Sequence, residues 1–437
     1  MTSAPHPVSS FLTDQYELTM VDAAIRSGTH ERECVFEVFA RHLPGGRRYG
    51  VVAGTGRLLD LIADFRFTDA ELEWLRDNEI VYDKAIDWLA DYRFTGNIWG
   101  YQEGELYFPG SPILVVDGTF AEAVLLETLA LSVLNYDSAV ASAAARMVSA
   151  ASGRPLAEMG SRRTGERSAV AAARAAFIAG FGATSNLEAG RSWGIPTMGT
   201  AAHSFTLLHD TEEDAFRAQV AALGVGTTLL VDTYDVPAAV ELAVRVAGTG
   251  LGAVRIDSGD LPEQVAAVRR QLDALGATKT RITVTNDLDE FTIAALRAAP
   301  VDSYGVGTSV VTGSGSPAAG MVYKLVARKG SDGEWLSVAK RSSHKATVGG
   351  RKFPVRELDE AGRATAEVIH VGEPEAATSR HRPLLVPLMN SGIPVERYRG
   401  AAGTALAREH RASAMAELPA DALRLGRGDP AIATRYE

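Results

Sequence analysis

The chain has 437 residues, which predicts two or three domains at about 150 residues for each. Apolar residues make up 46% and charged residues 22%, and this globular composition excludes wholesale disorder, a collagen-like fibre and a coiled-coil rod. A net charge of -10 argues against a general nucleic-acid binder, whose basic face would show in the sum. The single cysteine, Cys34, excludes an intramolecular disulfide and a multi-cysteine zinc site.

Targeting and membrane signals are absent from the sequence pattern. The first residues lack the basic and apolar stretches of a signal peptide. The longest uncharged run, 303–323, is rich in Gly, Ser and Thr and therefore does not resemble a membrane span. We expect a soluble cytoplasmic protein that binds neither a membrane nor nucleic acid.

Residues 1–118 have the pattern of a mixed α/β domain. Apolar spacing over 11–25 predicts a helix behind a Thr13 cap. Residues 35–40 and 49–53 predict strands on either side of a Pro-Gly-Gly turn. Helices are expected between 68 and 93, and short strands between 97 and 116.

A regular rhythm marks residues 119–337. After a long Ala- and Leu-rich helix at 119–150, short apolar runs alternate with helical segments and end near Gly160, Thr200, Asp232, Asp257, Asn286 and Gly307. Alternating strands and helices imply parallel pairing with right-handed crossovers. Six such units favour a closed or nearly closed β/α barrel over an open sheet.

Residues 338–437 break this rhythm. They contain an expected hairpin at 351–371, a proline-punctuated stretch at 383–394 and an amphipathic helix at 404–418. We expect three segments: an N-terminal α/β domain at 1–118, a barrel at 119–337, and a C-terminal segment at 338–437 that packs on the N-terminal domain. The predicted fold class is therefore α/β, with a TIM-like barrel and an additional domain.

Acidic residues stand where three of the apolar runs end. Functional groups of a β/α barrel lie at the carboxyl ends of its strands. Asp232, Asp257 and Asp287 each follow a different run, so their carboxylates could converge on a divalent metal or on ribose hydroxyls. Alternatively, each Asp caps the helix that follows it. Taken together, the three residues favour a shared site.

A glycine- and hydroxyl-rich segment follows the sixth run. Gly305, Gly307 and Thr308 offer close backbone approach, N–H groups and a hydroxyl to a phosphate. A plain flexible connection would have the same composition, but a phosphate site after the last strands is a recurrent use of this fold. No Walker A pattern occurs, so any use of ATP is not of the P-loop kind.

One histidine and two arginine sites complete the candidates. His203 stands among small residues, where a catalytic and a structural role both stay open. Arg162 follows the first run together with Arg163, whereas Arg255 lies between two apolar residues and needs an anion. These residues predict an enzyme for a sugar phosphate and a divalent cation. An aldolase-type barrel fits almost as well as a phosphoribosyltransferase, although no Lys stands at a run's end.

Five segments resemble signatures of the nicotinate phosphoribosyltransferase family. In chain order they are LTDQYELTM (12–20), GATSN (182–186), GTAAHS (199–204), VRIDSGD (254–260) and GVGTSVV (305–311). The resemblance implies a type II phosphoribosyltransferase with an irregular β/α barrel and an α/β domain made from both chain ends. It also implies a homodimer with a shared active site.

The implied reaction condenses nicotinate with 5-phosphoribosyl 1-diphosphate to give nicotinate mononucleotide and diphosphate, in NAD salvage. ATP is the implied co-substrate, and Mg²⁺ is expected to enter with the diphosphate. The enzyme is then an ATP-dependent pentosyltransferase that forms a C–N bond. Quinolinate-using relatives are shorter and lack the segment around Tyr16.

The resemblance also implies a role for individual residues. His203 matches a transiently phosphorylated histidine, and Tyr16 matches a tyrosine that the partner subunit stacks on the pyridine ring. The remaining matches are Thr200 and Arg255 for nicotinate, Gly305, Gly307 and Thr308 for the 5′-phosphate, and Arg162, Asp232 and Asp257 around the phosphoribosyl donor. Asp232 and Asp257 are thus counted with His203 as catalytic, and Asn286 as substrate-binding.

Two alternatives remain beside this function. Nicotinamide-using relatives place an Asp beside the pyridine amide, and the matching stretch here is Thr184, Ser185 and Asn186, without an acid. Neutral groups there favour the acid substrate, since a carboxylate would repel it. The other alternative is a non-catalytic barrel that only binds nucleotides. The intact His203 and Asp257 argue against that second alternative.

Overall fold

The protein, seen here in a computed structural model, is described over residues 10–340, 347–374 and 376–437. It divides into two compact units: unit 1 combines Met1–Ser142 with Ser316–Glu437, and unit 2 is Ala143–Gly315. These boundaries differ from the expected ones at 118 and 337. Leu129 and Val133, early in the long helix, belong to the core of unit 1, so the division falls inside that helix.

The helices are α1 (Gln15–Ser27), α2 (Thr55–Asp64), α3 (Asp69–Asp77), α4 (Asp83–Ala90), α5 (Phe120–Val124), α6 (Glu127–Ala151), α7 (Glu166–Ile178), α8 (Leu187–Trp193), α9 (His203–Leu208), α10 (Glu212–Leu223), α11 (Val236–Ala247), α12 (Leu261–Ala274), α13 (Glu290–Ala295), α14 (Thr308–Val311) and α15 (Gly400–Glu417). The strands are β1 (Glu33–Ala40), β2 (Gly50–Val51), β3 (Asn97–Tyr101), β4 (Leu106–Tyr107), β5 (Pro112–Thr119), β6 (Leu156–Glu158), β7 (Ala183–Thr184), β8 (Thr228–Leu230), β9 (Ala253–Ile256), β10 (Arg281–Val284), β11 (Ser303–Val306), β12 (Met321–Lys329), β13 (Trp335–Ser337), β14 (Lys352–Leu358), β15 (Ala364–Val371), β16 (His381–Pro383), β17 (Leu385–Asn390), β18 (Ile393–Pro394) and β19 (Ala433–Tyr436).

Unit 1 is built mainly on antiparallel strands, although β15 and β19 pair in parallel. Its largest sheet has seven strands in the order β13-β12-β1-β5-β3-β17-β18, so three strands from the N-terminal part are flanked on both sides by strands from the C-terminal part. A four-stranded sheet, β16-β14-β15-β19, contains the expected hairpin as β14 and β15. The first helix starts later than predicted: its N-cap is Asp14, and the Thr13 hydroxyl donates to Glu17 instead of capping the helix.

Unit 1 also contains a buried charge network. Glu105, whose side chain is 2% exposed, accepts hydrogen bonds from Arg382 Nη1 at 2.8 Å and lies 2.9 Å from His410 Nε2. Arg356, fully buried, pairs with Glu367 at 2.8 Å and lies 3.8 Å from Glu105. Burial raises the pKa of the Glu105 carboxyl, but the His410 hydrogen bond and the two guanidinium charges outweigh it and hold that pKa far below the usual value.

Unit 2 is built on a parallel sheet of six strands in the order β7-β6-β11-β10-β9-β8. All the strands run in one direction, so their carboxyl ends meet at one edge. In the described part of the chain β7 and β8 are the edge strands and do not pair with each other. The alternation of strands and helices is therefore confirmed as a parallel α/β unit.

One predicted strand is wrong. The apolar run ending near Thr200 forms no strand of the sheet, and its place is taken by the two-residue strand β7, which ends at Thr184. Residues 195–199 make only an isolated bridge, Thr184 to Thr197. Pro196 lacks the N–H of a ladder residue, and flanking glycines at 194 and 199 weaken a strand further.

A single helical stretch in the described residues, Phe120–Ala151, is long and apolar enough to cross a membrane. However, 67% of its most apolar window is buried inside the fold. Packing against neighbouring elements thus accounts for its composition, as in the core helix of a globular protein.

Candidate active site

A cavity of about 520 Å³ opens at the carboxyl edge of the parallel sheet in unit 2. Nine of the predicted site residues line it, and these are Arg162, Ser185, Thr200, Arg255, Asp257, Asn286, Gly305, Gly307 and Thr308. They come from six separate segments of the sequence, so the parallel sheet brings them together. Arg163 and Asp287 line the same cavity.

Arg255 is held in place by the oxygens around it. It lies on β9, and its Nε donates to Thr285 Oγ1 at 2.9 Å, while its Nη1 donates to Thr200 Oγ1 at 2.9 Å. Nη1 also donates to the Ala201 carbonyl at 3.3 Å, and Nη2 lies 3.2 Å from Asp257 Oδ1. The side chain is 15% exposed, so the cavity contains a fixed, partly desolvated cation whose charge is shared with one carboxylate.

Thr285 is a site residue that sequence reasoning missed. It directly follows β10, is 4% exposed, and donates its hydroxyl to Asp257 Oδ1 while accepting from Arg255. Its methyl group lies against Gly305, where an added Cβ would be 2.6 Å from Thr285 Cγ2 and 2.7 Å from Met159 Sδ. A glycine at 305 is therefore required by close packing. The only signal in the sequence was the position of Thr285 at the end of an apolar run.

His203 and Asp232 form a pair beside this cavity. His203 begins α9, with Nδ1 3.1 Å from Thr233 Oγ1 and Nε2 3.9 Å from Asp232 Oδ1. Asp232 is almost fully buried, and its Oδ2 accepts from the Asp257 backbone N–H at 2.8 Å and from Ser258 Oγ at 2.7 Å. Since the His203 ring is 41% exposed, a reagent in solvent can reach it.

The convergence of Asp232, Asp257 and Asp287 on a divalent metal or on ribose hydroxyls stays a prediction, because the described side chains do not by themselves form a metal cage. Among these residues no group of three or more His, Cys, Asp or Glu could hold a metal ion. Asp232 is occupied by Asp257 N–H and Ser258, and Asp257 is occupied by Arg255 and Thr285, whereas Asp287 lines the cavity separately.

The alternative, that these Asp residues cap helices, is wrong. The caps are a second set of Asp residues two or three positions further along. Asp235 accepts from Ala238 N–H, Asp260 from Glu263 N–H, and Asp289 from Thr292 N–H. The loops after β8, β9 and β10 thus each have one Asp that caps the next helix and another that does not, and of the latter Asp257 and Asp287 line the cavity.

Thr184 is a buried residue and does not line the cavity. It is fully buried, and its hydroxyl donates to Glu158 Oε2 at 2.6 Å while accepting from Asn186 N–H at 3.0 Å. Glu158 is itself buried, accepts from Gly160 N–H, and has a pKa raised by burial. Sequence reasoning found no acid in the 184–186 stretch, but the fold puts this carboxylate directly behind it. Ser185, by contrast, lines the cavity.

The candidate phosphate segment combines tight and open positions. Gly307 lies against the Met159 carbonyl, 3.3 Å from where a Cβ would be, and Thr308 begins the short helix α14 as an exposed residue. Asn286, across the cavity, has a φ of 106°, a left-handed conformation that is uncommon outside glycine. Backbone strain of this kind is concentrated at functional sites.

Tyr16 lies in unit 1, on the first turn of α1, with 44% of its surface exposed. Partial burial, together with the charges of Glu127 and Glu17, raises the pKa of its hydroxyl to about 12, so the ring is neutral at physiological pH. It is not among the residues that line the unit 2 cavity.

Comparison with known proteins identifies the family of the chain that forms this cavity. Residues 11–135 match the model of the nicotinate phosphoribosyltransferase (NAPRTase) N-terminal domain. The chain is 57% identical over 436 residues to the nicotinate phosphoribosyltransferase pncB1 of Mycobacterium tuberculosis, covering 98% of this chain and 95% of that protein. The chain belongs to the nicotinate phosphoribosyltransferase family. The Bacillus subtilis nicotinate phosphoribosyltransferase is 38% identical, over 80% of this chain and 74% of that protein.

Solved structures agree with this membership. Human nicotinic acid phosphoribosyltransferase superposes with a TM-score of 0.82 at 26% identity, and the match covers 97% of both chains. The Pyrococcus furiosus nicotinate-nucleotide pyrophosphorylase shares the fold, with a TM-score of 0.77 at 22% identity. The two-unit α/β architecture is therefore that of the nicotinate phosphoribosyltransferase family.

Proposed function

We propose that the protein is a nicotinate phosphoribosyltransferase, which joins nicotinate to 5-phosphoribosyl 1-diphosphate in NAD biosynthesis. One observation carries the proposal: a chain 57% identical to such an enzyme forms a cavity lined by a fixed arginine, a carboxylate and a glycine–threonine segment. These are groups that suit a carboxylate, a ribose and a phosphate, which are the parts of the two substrates. The parallel α/β core of unit 2 would take the form of an irregular β/α barrel.

In the reaction the pyridine nitrogen of nicotinate forms a bond to C1 of the ribosyl group. The C1–O bond to diphosphate breaks, and its electron pair leaves with the diphosphate. Arg255 and Thr200 would hold the nicotinate carboxylate, which keeps the ring nitrogen aimed at C1. Gly305, Gly307 and Thr308 would hold the 5′-phosphate. Thr184 acts behind this surface, through its bond to Glu158.

Arg162, Asp257 and Asp232 complete the donor side of the proposed site. Arg162 is exposed in the cavity and suits the diphosphate oxygens. Asp257 has its Oδ1 bound to Arg255 and Thr285, so its other oxygen is the one left to a ribose hydroxyl. Asp232 fixes the backbone and Ser258 of the same loop. Asn286 and Ser185 line the remaining wall.

Mg²⁺ enters this proposal as part of the donor complex. An all-protein cage is not formed by the described side chains, but Mg²⁺ keeps several waters and typically binds one or two carboxylates plus phosphate oxygens. Asp287 and Asn286, both exposed at the cavity, fit that smaller demand. When bound, the ion would neutralise charge that develops on the departing diphosphate.

ATP coupling is proposed through His203. Its imidazole is exposed, held at Nδ1 by Thr233 and faced at Nε2 by the buried Asp232 carboxylate, and this carboxylate would stabilise a charged ring. A nitrogen lone pair would take the γ-phosphoryl group from ATP, with ADP leaving. Hydrolysis of the phosphoramidate would then release phosphate.

We also propose a soluble cytoplasmic homodimer with a shared active site. The exposed, neutral Tyr16 ring suits stacking on a pyridine in the partner's cavity. Mixing Tyr16→Ala chains with His203→Ala chains, each without ATP-coupled activity alone, tests it, because hybrid dimers contain one intact composite site. Recovery of ATP-coupled activity is expected. Failure to recover, after subunit exchange has been verified, would mean that Tyr16 acts within its own chain.

Nicotinamide is the second candidate substrate, and Glu158 is the observation that favours it. A carboxylate beside the pyridine amide could accept its N–H, and this one lies directly behind Thr184. Its oxygens are already bound by Thr184 and Gly160, however, and the side chain does not line the cavity. Nicotinate therefore remains the better fit.

A product assay with nicotinate, nicotinamide and quinolinate, each with 5-phosphoribosyl 1-diphosphate, Mg²⁺ and ATP, tests the proposed function. Nicotinate mononucleotide should form fastest, and ATP should be consumed only when both substrates are present. Equal use of nicotinamide would move the assignment to the second candidate. Nucleotide binding without any product would indicate a non-catalytic barrel.

A further inference from the structure

The Thr285 hydroxyl occupies a position that no role in the reaction assigned above explains. It has a single proton, which goes to Asp257 Oδ1, and its oxygen accepts the Arg255 Nε proton at 2.9 Å. The hydroxyl is thus oriented from both sides, and it connects the cation at the nicotinate position to the carboxylate at the donor position. All three residues line the cavity, and Thr285 is the most buried of them, with 4% of its surface exposed.

The orientation of this side chain is fixed by the fold as well. Thr285 Cγ2 packs against Gly305 of the neighbouring segment, where no larger residue fits. The branched side chain therefore has one rotamer available, with its methyl group towards Gly305 and its hydroxyl towards Arg255 and Asp257. Serine would preserve the hydroxyl but lose this steric restraint. Valine would preserve the shape but lose the hydroxyl.

We propose that Thr285 is a positioning residue that couples nicotinate recognition to phosphoribosyl-donor recognition. Without its hydroxyl, the Arg255 Nε–H has no acceptor, and the guanidinium can rotate towards a closer pair with Asp257. The same movement separates Arg255 from the nicotinate carboxylate and separates the Asp257 carboxylate from the ribose. Loss of one buried hydroxyl should thus weaken the use of both substrates. This inference rests on the proposed function for the identity of the substrates.

The experiment compares Thr285→Val and Thr285→Ser with a matched control, Thr283→Val. Thr283 lies on β10, two residues before Thr285, and is also buried, but its hydroxyl bonds the Ser303 hydroxyl at 2.9 Å. Leaving a buried donor unpaired corresponds to a loss of about tenfold or more. We expect Thr285→Val to lose that much kcat/KM for nicotinate and to raise KM for the donor. Thr285→Ser and Thr283→Val should stay within about threefold of wild type.

Several results would overturn the inference. One is a Thr285→Val enzyme as active as Thr285→Ser, and another is an equal loss in both valine variants that follows their melting temperatures. A wild-type protein that makes no nicotinate mononucleotide contradicts the proposed function instead. The crystal structure of Thr285→Val decides the inference independently of activity. The Arg255 guanidinium should move from its wild-type position, and an unmoved guanidinium would refute the positioning role.

Discussion

Replacing Arg255 with Gln should narrow the preference for nicotinate over nicotinamide. The arginine contacts Thr200, Thr285, the Ala201 carbonyl and Asp257, and Gln can replace at most part of this set. Its charge is what separates the two substrates, since one has a carboxylate where the other has a neutral amide. A hydrogen bond to a charged group contributes about 1.5–3 kcal/mol.

That range corresponds to about a 10- to 100-fold loss in kcat/KM for nicotinate, at about 1.4 kcal/mol for each factor of ten. The variant also leaves Asp257 without its counter-ion, which should harm both substrates. The ratio of the two kcat/KM values cancels this shared damage, so the ratio is the quantity to measure. We expect it to fall by about tenfold or more.

The control is Arg162→Gln, which removes an exposed arginine from the same cavity. It should raise KM for 5-phosphoribosyl 1-diphosphate and leave the substrate ratio unchanged. The reasoning would be refuted by an Arg255→Gln enzyme with an unchanged ratio and a weakened donor. In that case Arg255 would be a phosphate ligand, and Thr200 would be the next candidate for the nicotinate carboxylate.

Three further predictions concern separate features. His203→Ala should abolish acid-labile labelling by γ-labelled ATP and remove ATP stimulation, while slow nucleotide formation persists; labelling that survives the substitution would contradict the role of this residue. Gly305→Ala should lower kcat by about tenfold or more and also lower the melting temperature, because its Cβ would meet Thr285 at 2.6 Å and displace it; an unchanged kcat would show that the packing is not needed. The free energy of unfolding should fall as the pH drops below the normal pKa range of a glutamate. The fold lowers the pKa of Glu105, so its ionised carboxylate stabilises the folded state above the unfolded-state pKa, and this stabilisation is lost on acidification. Glu105→Gln should cost about 3–5 kcal/mol at neutral pH and flatten this acid limb, as denaturant titrations from pH 7 to pH 3 would measure; an acid limb as steep as that of wild type would disprove the assignment.

The sequence predicted which residues line the cavity where both the residue type and its position on a recognisable strand indicated it. Arg255 lies between two apolar neighbours on a buried strand, so its need for an anion was visible from the sequence. Asp257, two residues later, follows the same strand. Parallel pairing then requires the ends of neighbouring strands to meet, and this brings Asn286 and Gly307 to the same edge.

Sequence reasoning could not identify very short strands, and it could not decide which of two nearby Asp residues caps a helix. Strand β7 has two residues, too few for any periodicity, so a longer apolar run near Thr200 was mistaken for it. The loops after β8, β9 and β10 each have two Asp residues, and the sequence does not indicate which one caps the helix. The contacts of Thr285 and Glu158 join residues from different strands, and a single sequence does not contain such contacts.

The separation of the two Asp residues in each loop has a consequence for how this edge can change. Asp235, Asp260 and Asp289 hold the helix starts, so a substitution there costs about 1 kcal/mol of stability and leaves the chemistry untouched. Asp232, Asp257 and Asp287 start no helix, so we expect a substitution there to leave the helix start unchanged and, under the proposed function, to affect the reaction. Within this second set Asp287, exposed at the cavity, is the position where a substitution should cost the least stability, whereas Asp232 is almost fully buried. In protein engineering, the residues that cap no helix can be varied, while the helix-capping Asp residues are kept to stabilise the fold.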